Sequence, residues 1–364
     1  MNLFYFTCGN FILSLTITYF AIPIIRKLGL KYGYLDKPSE RKKDKRNLVR
    51  IGGLAIVTGF ISSNVIFYLL KSYFINNLLI SEYGNELSLE KFMPLISISL
   101  IFFLIGFIDD IFDISFLLRL ALQIILSFVA FSFGIRFFSI RAPEILDYSI
   151  ILNFPFVICI LLTIVWLSGI TNSFNWIDGL DGLAGGLAII SLLALSIFNI
   201  NNGDITTGIL ALSLIGSSIS FLRFNFRNAC ILMGDCGSYF IGFFIAALIL
   251  KSHPLNNNNL NILPLILFIG VPLFDMTYVI LSRFINNKSI FKPDRRHIHH
   301  RLVDNGMSQK ETVLVIYSLN LFSSGLGLII SSNLIFGFFF ILTAFLTFCL
   351  KNNNINQIVY KSNK

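Results

Sequence analysis

The chain has 364 residues, of which 55% are hydrophobic and 13% charged, with 39 phenylalanines and a formal net charge of +9. Together with a mean hydropathy of +0.78, this composition excludes an ordinary soluble globular domain. It also means that the positive charge has to be placed along the chain before it can be read as a nucleic-acid footprint.

A helical bilayer span needs roughly 20 mostly apolar residues, and about eleven such runs occur. They lie near 3–25, 51–70, 92–108, 116–135, 150–170, 183–200, 205–222, 231–250, 262–282, 312–331 and 333–350. These runs are too long for membrane-barrel strands and lack their alternation. The expected fold is an all-α polytopic membrane protein with about eleven transmembrane helices. The first run has no basic residue before it, unlike a secretory signal. Cys8, Cys159, Cys230, Cys236 and Cys349 show no paired spacing, so neither a disulfide frame nor a zinc site is implied. Residues 1–350 read as one integral-membrane domain without internal repeats, and 351–364 as a polar cytoplasmic tail.

Charge sets the expected orientation. With the N-terminus outside, the inner segments are about 26–50, 109–115, 171–182, 223–230, 283–311 and the tail. Of the 28 lysines and arginines, only Lys71, Lys91, Arg136, Arg141 and Lys251 then fall outside, with Arg119 counted at the inner end of its span. Basic residues favour the cytoplasmic side, so the net charge is largely a topology signal, and no nucleic-acid partner is expected. Two basic loops remain, "RKLGLKYGYLDKPSERKKDKRNLVR" and "RFINNKSIFKPDRRHIHHRL". The first has a bland reading, as a topology or anionic-lipid signal. The second sets three of the four histidines beside three arginines.

The polar clusters all fall on that inner face: "GFIDDIFDIS" with Asp109, Asp110 and Asp113, "NSFNWIDGLDGLAGG" at 172–186, "MGDCGSYFIG" with Asp235, and "PDRRHIHHRL". One such aspartate could simply cap a helix. Four clusters on one face, in a chain with 19 acidic residues, indicate a shared site. Carboxylates without thiols suit a hard cation, Mg²⁺ or Mn²⁺, which takes one or two carboxylates plus substrate phosphates. Arginines and histidines supply phosphate contacts, and glycine-rich helix starts favour anions. A metal-assisted phosphoryl site at the cytoplasmic membrane surface is the expectation. Asp275, in "VPLFDMTYVILSR", lies eight residues before Arg283, inside its span. A buried acid there faces a polar partner, so either a structural pair with an arginine or histidine or a catalytic role is open.

In order and content these blocks, with "DKPSERK" and "RIGGLAI" ahead of them, resemble the polyprenyl-phosphate N-acetylhexosaminyl-1-phosphate transferases. The likeness is to the branch that starts O-antigen, enterobacterial common antigen and teichoic acid chains. It covers nearly the whole chain. The resemblance implies that polyprenyl phosphate attacks the β-phosphorus of a UDP-N-acetylhexosamine, giving polyprenyl-diphospho-sugar and UMP with Mg²⁺. It further implies undecaprenyl phosphate as acceptor, a bacterial inner (cytoplasmic) membrane setting and compatibility with a homodimer. By this resemblance Asp109 and Asp110 orient or deprotonate the lipid phosphate, and Asp235 and Asp178 bind metal. Asn172, Asn175, Asp178 and Asp181 match the nucleotide and metal block, with Asp178 and Asp181 in catalytic roles. His297, His299, His300 and Arg301 match the basic diphosphate motif, with His299 counted as catalytic, and Arg50 and Arg283 are expected to bind substrate.

The chain departs from the pattern at Asp44, where the family commonly has histidine, at Val49 in place of proline, and at Cys236 in place of alanine. The isoleucine of "HIHH" sets it apart from the peptidoglycan phospho-MurNAc-pentapeptide branch. Three other readings compete. CDP-alcohol phosphotransferases carry D-G-x-x-A-R, which "DGLDGLAGG" lacks. A lipid-sugar transporter predicts midplane polarity and paired halves. An inactive homologue would have lost acidic or histidine positions of the four polar clusters, which stand intact here. UDP-GlcNAc is the default donor, with the sugar otherwise open.

Overall fold

The computed structural model describes residues 2–36, 48–77, 89–137, 139–141, 151–226, 229–252, 260–287 and 296–362. The basic stretch around Asp44 and the start of the histidine block through Arg295 lie outside the described residues. The helices are α1 (Asn2–Tyr32), α2 (Gly53–Asn77), α3 (Met93–Phe112), α4 (Phe116–Ser132), α5 (Phe156–Ile177), α6 (Leu183–Asn201) and α7 (Ile205–Asn225). They continue with α8 (Gly234–Lys251), α9 (Ile262–Phe268), α10 (Gly270–Ile285), α11 (Ile298–Asp304), α12 (Gln309–Ile330) and α13 (Leu334–Ser362).

The chain is a multi-pass membrane protein whose candidate spans are all helices. Among the described residues, eight helices are long and apolar enough to cross a bilayer, or nine if α9 and α10, bent by 86°, count as one broken span. Each expected run is mostly helical, but α4 and the apolar part of α13, Leu334–Cys349, are short for a span. Eight or nine spans, not about eleven, is therefore the number that length and composition support.

Helix ends also differ from the sequence expectation. α3 runs through Asp109 and Asp110, and α5 carries Asn172 and Asn175 on its last turns, where loops were expected. Polar side chains are tolerated there because each finds a partner inside the bundle. The expected 150–170 run instead opens as a strand. β1 (Ser139–Arg141) pairs antiparallel with β2 (Ile151–Asn153) and parallel with β3 (Leu260–Asn261), with Ile140 opposite Leu152 and Leu260.

α8 is the central helix: every residue from Cys236 to Leu250 is buried, so it is apolar all round. Phe243 stacks on Phe102 of α3 with ring centroids 4.2 Å apart, and Phe244 meets Phe60 of α2 at 5.0 Å. Small residues bring backbones together at one end of α8. A Cβ on Gly106 would strike the backbone of Asp235, and one on Gly53 the backbone of Gly237. This close approach sets the end of α3 beside the start of α8, and so sets carboxylate beside carboxylate.

Candidate active site

Asp110 has a fully buried side chain, yet it is well partnered. Its two oxygens accept the backbone N–H groups of Asp235 and Cys236, each at 2.9 Å, and Arg50 Nε lies 2.9 Å from Oδ1. The N-terminus of α8, an anion-binding position by its dipole, is thus filled by the chain's own carboxylate. Gly234 precedes it at φ +72, and a Cβ there would meet the Arg50 carbonyl and the Asp110 carboxylate.

Asp109 and Asp235 share one cation. Arg119 Nη1 donates to Asp109 Oδ2 and, at 3.0 Å, to Asp235 Oδ2. Arg50 Nη2 lies 3.5 Å from Asp235 Oδ1, and its Nη1 3.4 Å from Asp113. Asn175 Nδ2 donates to Asp235 Oδ1 at 2.9 Å and to Ser238 Oγ at 3.0 Å. Asp235 is therefore the hub. Its side chain is 15% exposed against 3% for Asp109 and 0% for Asp110, which makes it the carboxylate of the three that a ligand can reach.

The turn between α5 and α6 closes over this hub. Asp178 ends α5, and its carboxyl is pushed up to about 7 by burial and by the charges of Asp235, Asp110 and Asp181. Asp181 accepts the Ala229 N–H at 3.0 Å. Asn225 accepts the Gly182 N–H at 2.8 Å and donates to the Ile231 carbonyl at 2.9 Å, while the Tyr317 hydroxyl donates to the Gly182 carbonyl. These bonds clamp the turn onto the α7–α8 connection. Neither Asp178, Asp181 nor Asp235 caps a helix start, whereas Asp204 does so for α7. Asn172 sits a turn deeper than Asn175 and is buried, its amide donating to Gln123 Oε1 at 2.6 Å and the Ser168 carbonyl at 2.8 Å.

The histidines occupy a short helix on the other side of the turn. α10 buries Asp275, Val279 and Arg283 and exposes Phe274, Tyr278, Leu281 and Ile285. Asp275 Oδ2 lies 2.8 Å from His297 Nδ1, and its Oδ1 accepts the Ile298 N–H at 2.7 Å. The partner anticipated for Asp275 is thus a histidine. The His297 ring meets Trp176 edge-on at 5.8 Å, and His299 packs on Gly179, where a Cβ would strike its ring. His299 stands 4.2 Å from His300, ring to ring. Burial, then the neighbouring His300 and His297, pushes the His299 imidazole down to about 3, so it is neutral at neutral pH. Its Nδ1 is buried with no hydrogen-bond partner among the described residues. Arg296 donates to Ser282 Oγ at 2.7 Å, and the exposed Arg301 stacks on Tyr278 at 5.0 Å.

The structure therefore gathers Arg50, Asp109, Asp110, Asp235 and Asn175 into one cluster, with Asp178 in its field. It sets His297 and His299 across the α5–α6 turn. Asn172 and Asp181 instead hold helix to helix and turn to loop, and Arg283 lies on the buried face of α10. Sequence reasoning missed the bridging role of Arg119, although an arginine one turn into an apolar helix was a signal. Gln123, Trp176, Asn225 and Ser238 carried no such signal.

Among the described residues, no group of three or more His, Cys, Asp or Glu side chains forms a metal cage. The donors that are present, the Asp235 carboxylate and the Asn175 amide with Asp178 nearby, are oxygen-bearing and few. Such a set fits a hard cation that is completed by substrate phosphates.

A helical bundle that gathers carboxylates, guanidiniums and imidazoles at one end is built as an integral-membrane enzyme for a charged substrate. Residues 92–253 match the model of glycosyl transferase family 4. The chain is 31% identical over 341 residues to the probable undecaprenyl-phosphate N-acetylglucosaminyl 1-phosphate transferase of Bacillus subtilis (strain 168), covering 93% of this chain and 88% of that one. It is 30% identical over 321 residues to the decaprenyl-phosphate N-acetylglucosaminephosphotransferase of Mycobacterium tuberculosis (strain ATCC 25618 / H37Rv), covering 83% and 76%. It is 27% identical over 299 residues to the undecaprenyl-phosphate alpha-N-acetylglucosaminyl 1-phosphate transferase of Escherichia coli (strain K12), covering 80% and 75%. The chain belongs to glycosyl transferase family 4.

Proposed function

We propose that this protein transfers N-acetylglucosamine 1-phosphate from UDP-N-acetylglucosamine to a polyprenyl phosphate, undecaprenyl phosphate being the expected acceptor. The observation that carries this reading is the hub at Asp235, where carboxylates, an amide and two guanidiniums meet at one end of a membrane bundle. A phosphate oxygen of the lipid forms a bond to the β-phosphorus of the donor, the bond from that phosphorus to the bridging oxygen breaks, and UMP leaves. The acceptor phosphate, with a second pKa near 6, is mostly dianionic at neutral pH. No strong base is then needed, and Asp109, engaged by Arg119, orients rather than deprotonates.

Arg50 and Arg119 supply charge-assisted donors for phosphoryl oxygens, and neutral His299 supplies a hydrogen-bonding ring rather than a charge. A Mg²⁺ ion, with Mn²⁺ as a substitute, would be held by Asp235 with Asn175 and Asp178, and would screen the charge developing on the phosphates. The basic-residue asymmetry supports a cytoplasmic site and an outside N-terminus, and the bacterial relatives support a bacterial inner membrane. Counting α4 and α13 beside the nine candidate spans allows up to eleven crossings. The test is UMP release by detergent-purified protein given undecaprenyl phosphate, UDP-N-acetylglucosamine and Mg²⁺. Release that requires both lipid and metal supports the reading, and no release from folded protein with this or related UDP-sugars overturns it.

A further inference from the structure

The broken span raises a separate question: what fixes the direction in which α10 leaves the break? A turn of 86° between Phe268 and Gly270 frees backbone groups inside the bundle. In a membrane such groups need internal partners. Ser323 Oγ donates to the Leu267 carbonyl at 2.6 Å, and Ser191 Oγ donates to the Phe268 carbonyl at 2.7 Å. Asn320, on α12 and fully buried, does more. Its Nδ2 donates to the Phe268 carbonyl at 3.4 Å and to Ser191 Oγ at 3.3 Å, while its Oδ1 accepts the Val271 N–H at 3.2 Å. One side chain therefore holds the last carbonyl of α9 and an early amide of α10 together.

α10 then delivers Asp275, which holds both the His297 ring and the Ile298 amide. We propose that Asn320 is a positioning residue: by clasping both sides of the break it sets the course of α10. Through Asp275 it thereby seats the histidine helix against Trp176 and Gly179. The consequence for turnover rests on the transferase reading given above, whereas the seating itself does not.

The chain has two tryptophans. In Trp166→Phe, Trp176 beside His297 becomes the sole fluorescent reporter of that seat. Two readouts are compared in this background, Trp176 emission with acrylamide quenching, and UMP release. Asn320→Ala is expected to shift Trp176 emission as Asp275→Ala does, and to lower kcat on the order of tenfold to a hundredfold. Combined with Asp275→Ala it should add no further loss, because both act on one seat. Asn320→Ser, which keeps a group able to donate and accept, should recover part of both signals. It also carries the comparison if the alanine variant fails to fold. Unchanged Trp176 emission in the folded variants, or losses that multiply in the double variant, would overturn the assignment. If neither the wild-type protein nor the Trp166→Phe parent releases UMP, the transferase reading fails, while the Trp176 readout still judges the clasp.

Discussion

The carboxylate cluster and the histidine helix face the same turn but are built on opposite principles. The cluster sets carboxyls directly against guanidiniums: Asp109, Asp110 and Asp235 against Arg50 and Arg119, each on or beside a long helix. The histidine helix holds its central ring uncharged, by burial and by its neighbours, and is tied down by one carboxylate on α10. Charge pairs between packed spans give a rigid site in which every group depends on the others. A neutral imidazole on a seven-residue helix makes a wall that can be reset by small changes elsewhere. Under the proposed transfer, the first arrangement would suit the reacting phosphates and the second a wall beside them.

Three substitutions sharpen that contrast. The largest effect on turnover belongs to Asp235→Asn, which removes the charge shared by both arginines at the exposed point of the cluster. UMP release should fall by at least about a hundredfold, while the detergent-solubilised protein keeps its melting transition within a few degrees. Asp110→Asn should also silence the enzyme, but with a different signature. Its carboxylate is wholly buried on Arg50 and two amides, so the variant should lose about 3 kcal/mol of stability, read as an earlier thermal transition. Equal melting for the two variants would dissolve the distinction between a group that meets substrate and one that holds α3 to α8.

The smallest effect belongs to His299→Gln. Between pH 6.5 and about 3 the unfolded chain binds a proton at this imidazole that the folded chain refuses. The stability from the neutral ring is therefore fully present above pH 6.5 and is lost as pH falls toward 3, at up to about 1.4 kcal/mol per pH unit. His299→Gln should flatten that acid limb in thermal melts between pH 6.5 and 4. An unchanged limb would mean that the ring is charged in the folded protein.

Long apolar runs were legible because a bilayer demands them, and each proved mostly helical. The break at Ile269 was not legible, although Pro264, Gly270 and Pro272 crowd that run. Proline and glycine permit a kink, and only the partners on α6 and α12 decide that it forms. Asp109, Asp110 and Asp235 could be singled out from the sequence as unusual charges at apolar boundaries. That Asp110 spends itself on the α8 amides could not, because the pairing joins residues 125 apart in the chain. The use of Asn172 as a strut to Gln123 was hidden for the same reason, since its block reads as a single recognition motif.

The shared guanidinium between Asp109 and Asp235 bears on the order of events at the site. Two arginines serve three carboxyls there, and both arginines reach Asp235. A ligand that offers phosphate oxygens to Arg119 would compete with Asp109 and Asp235 for one guanidinium. Arg119 would then turn toward a phosphate only by loosening its hold on one of these two carboxylates.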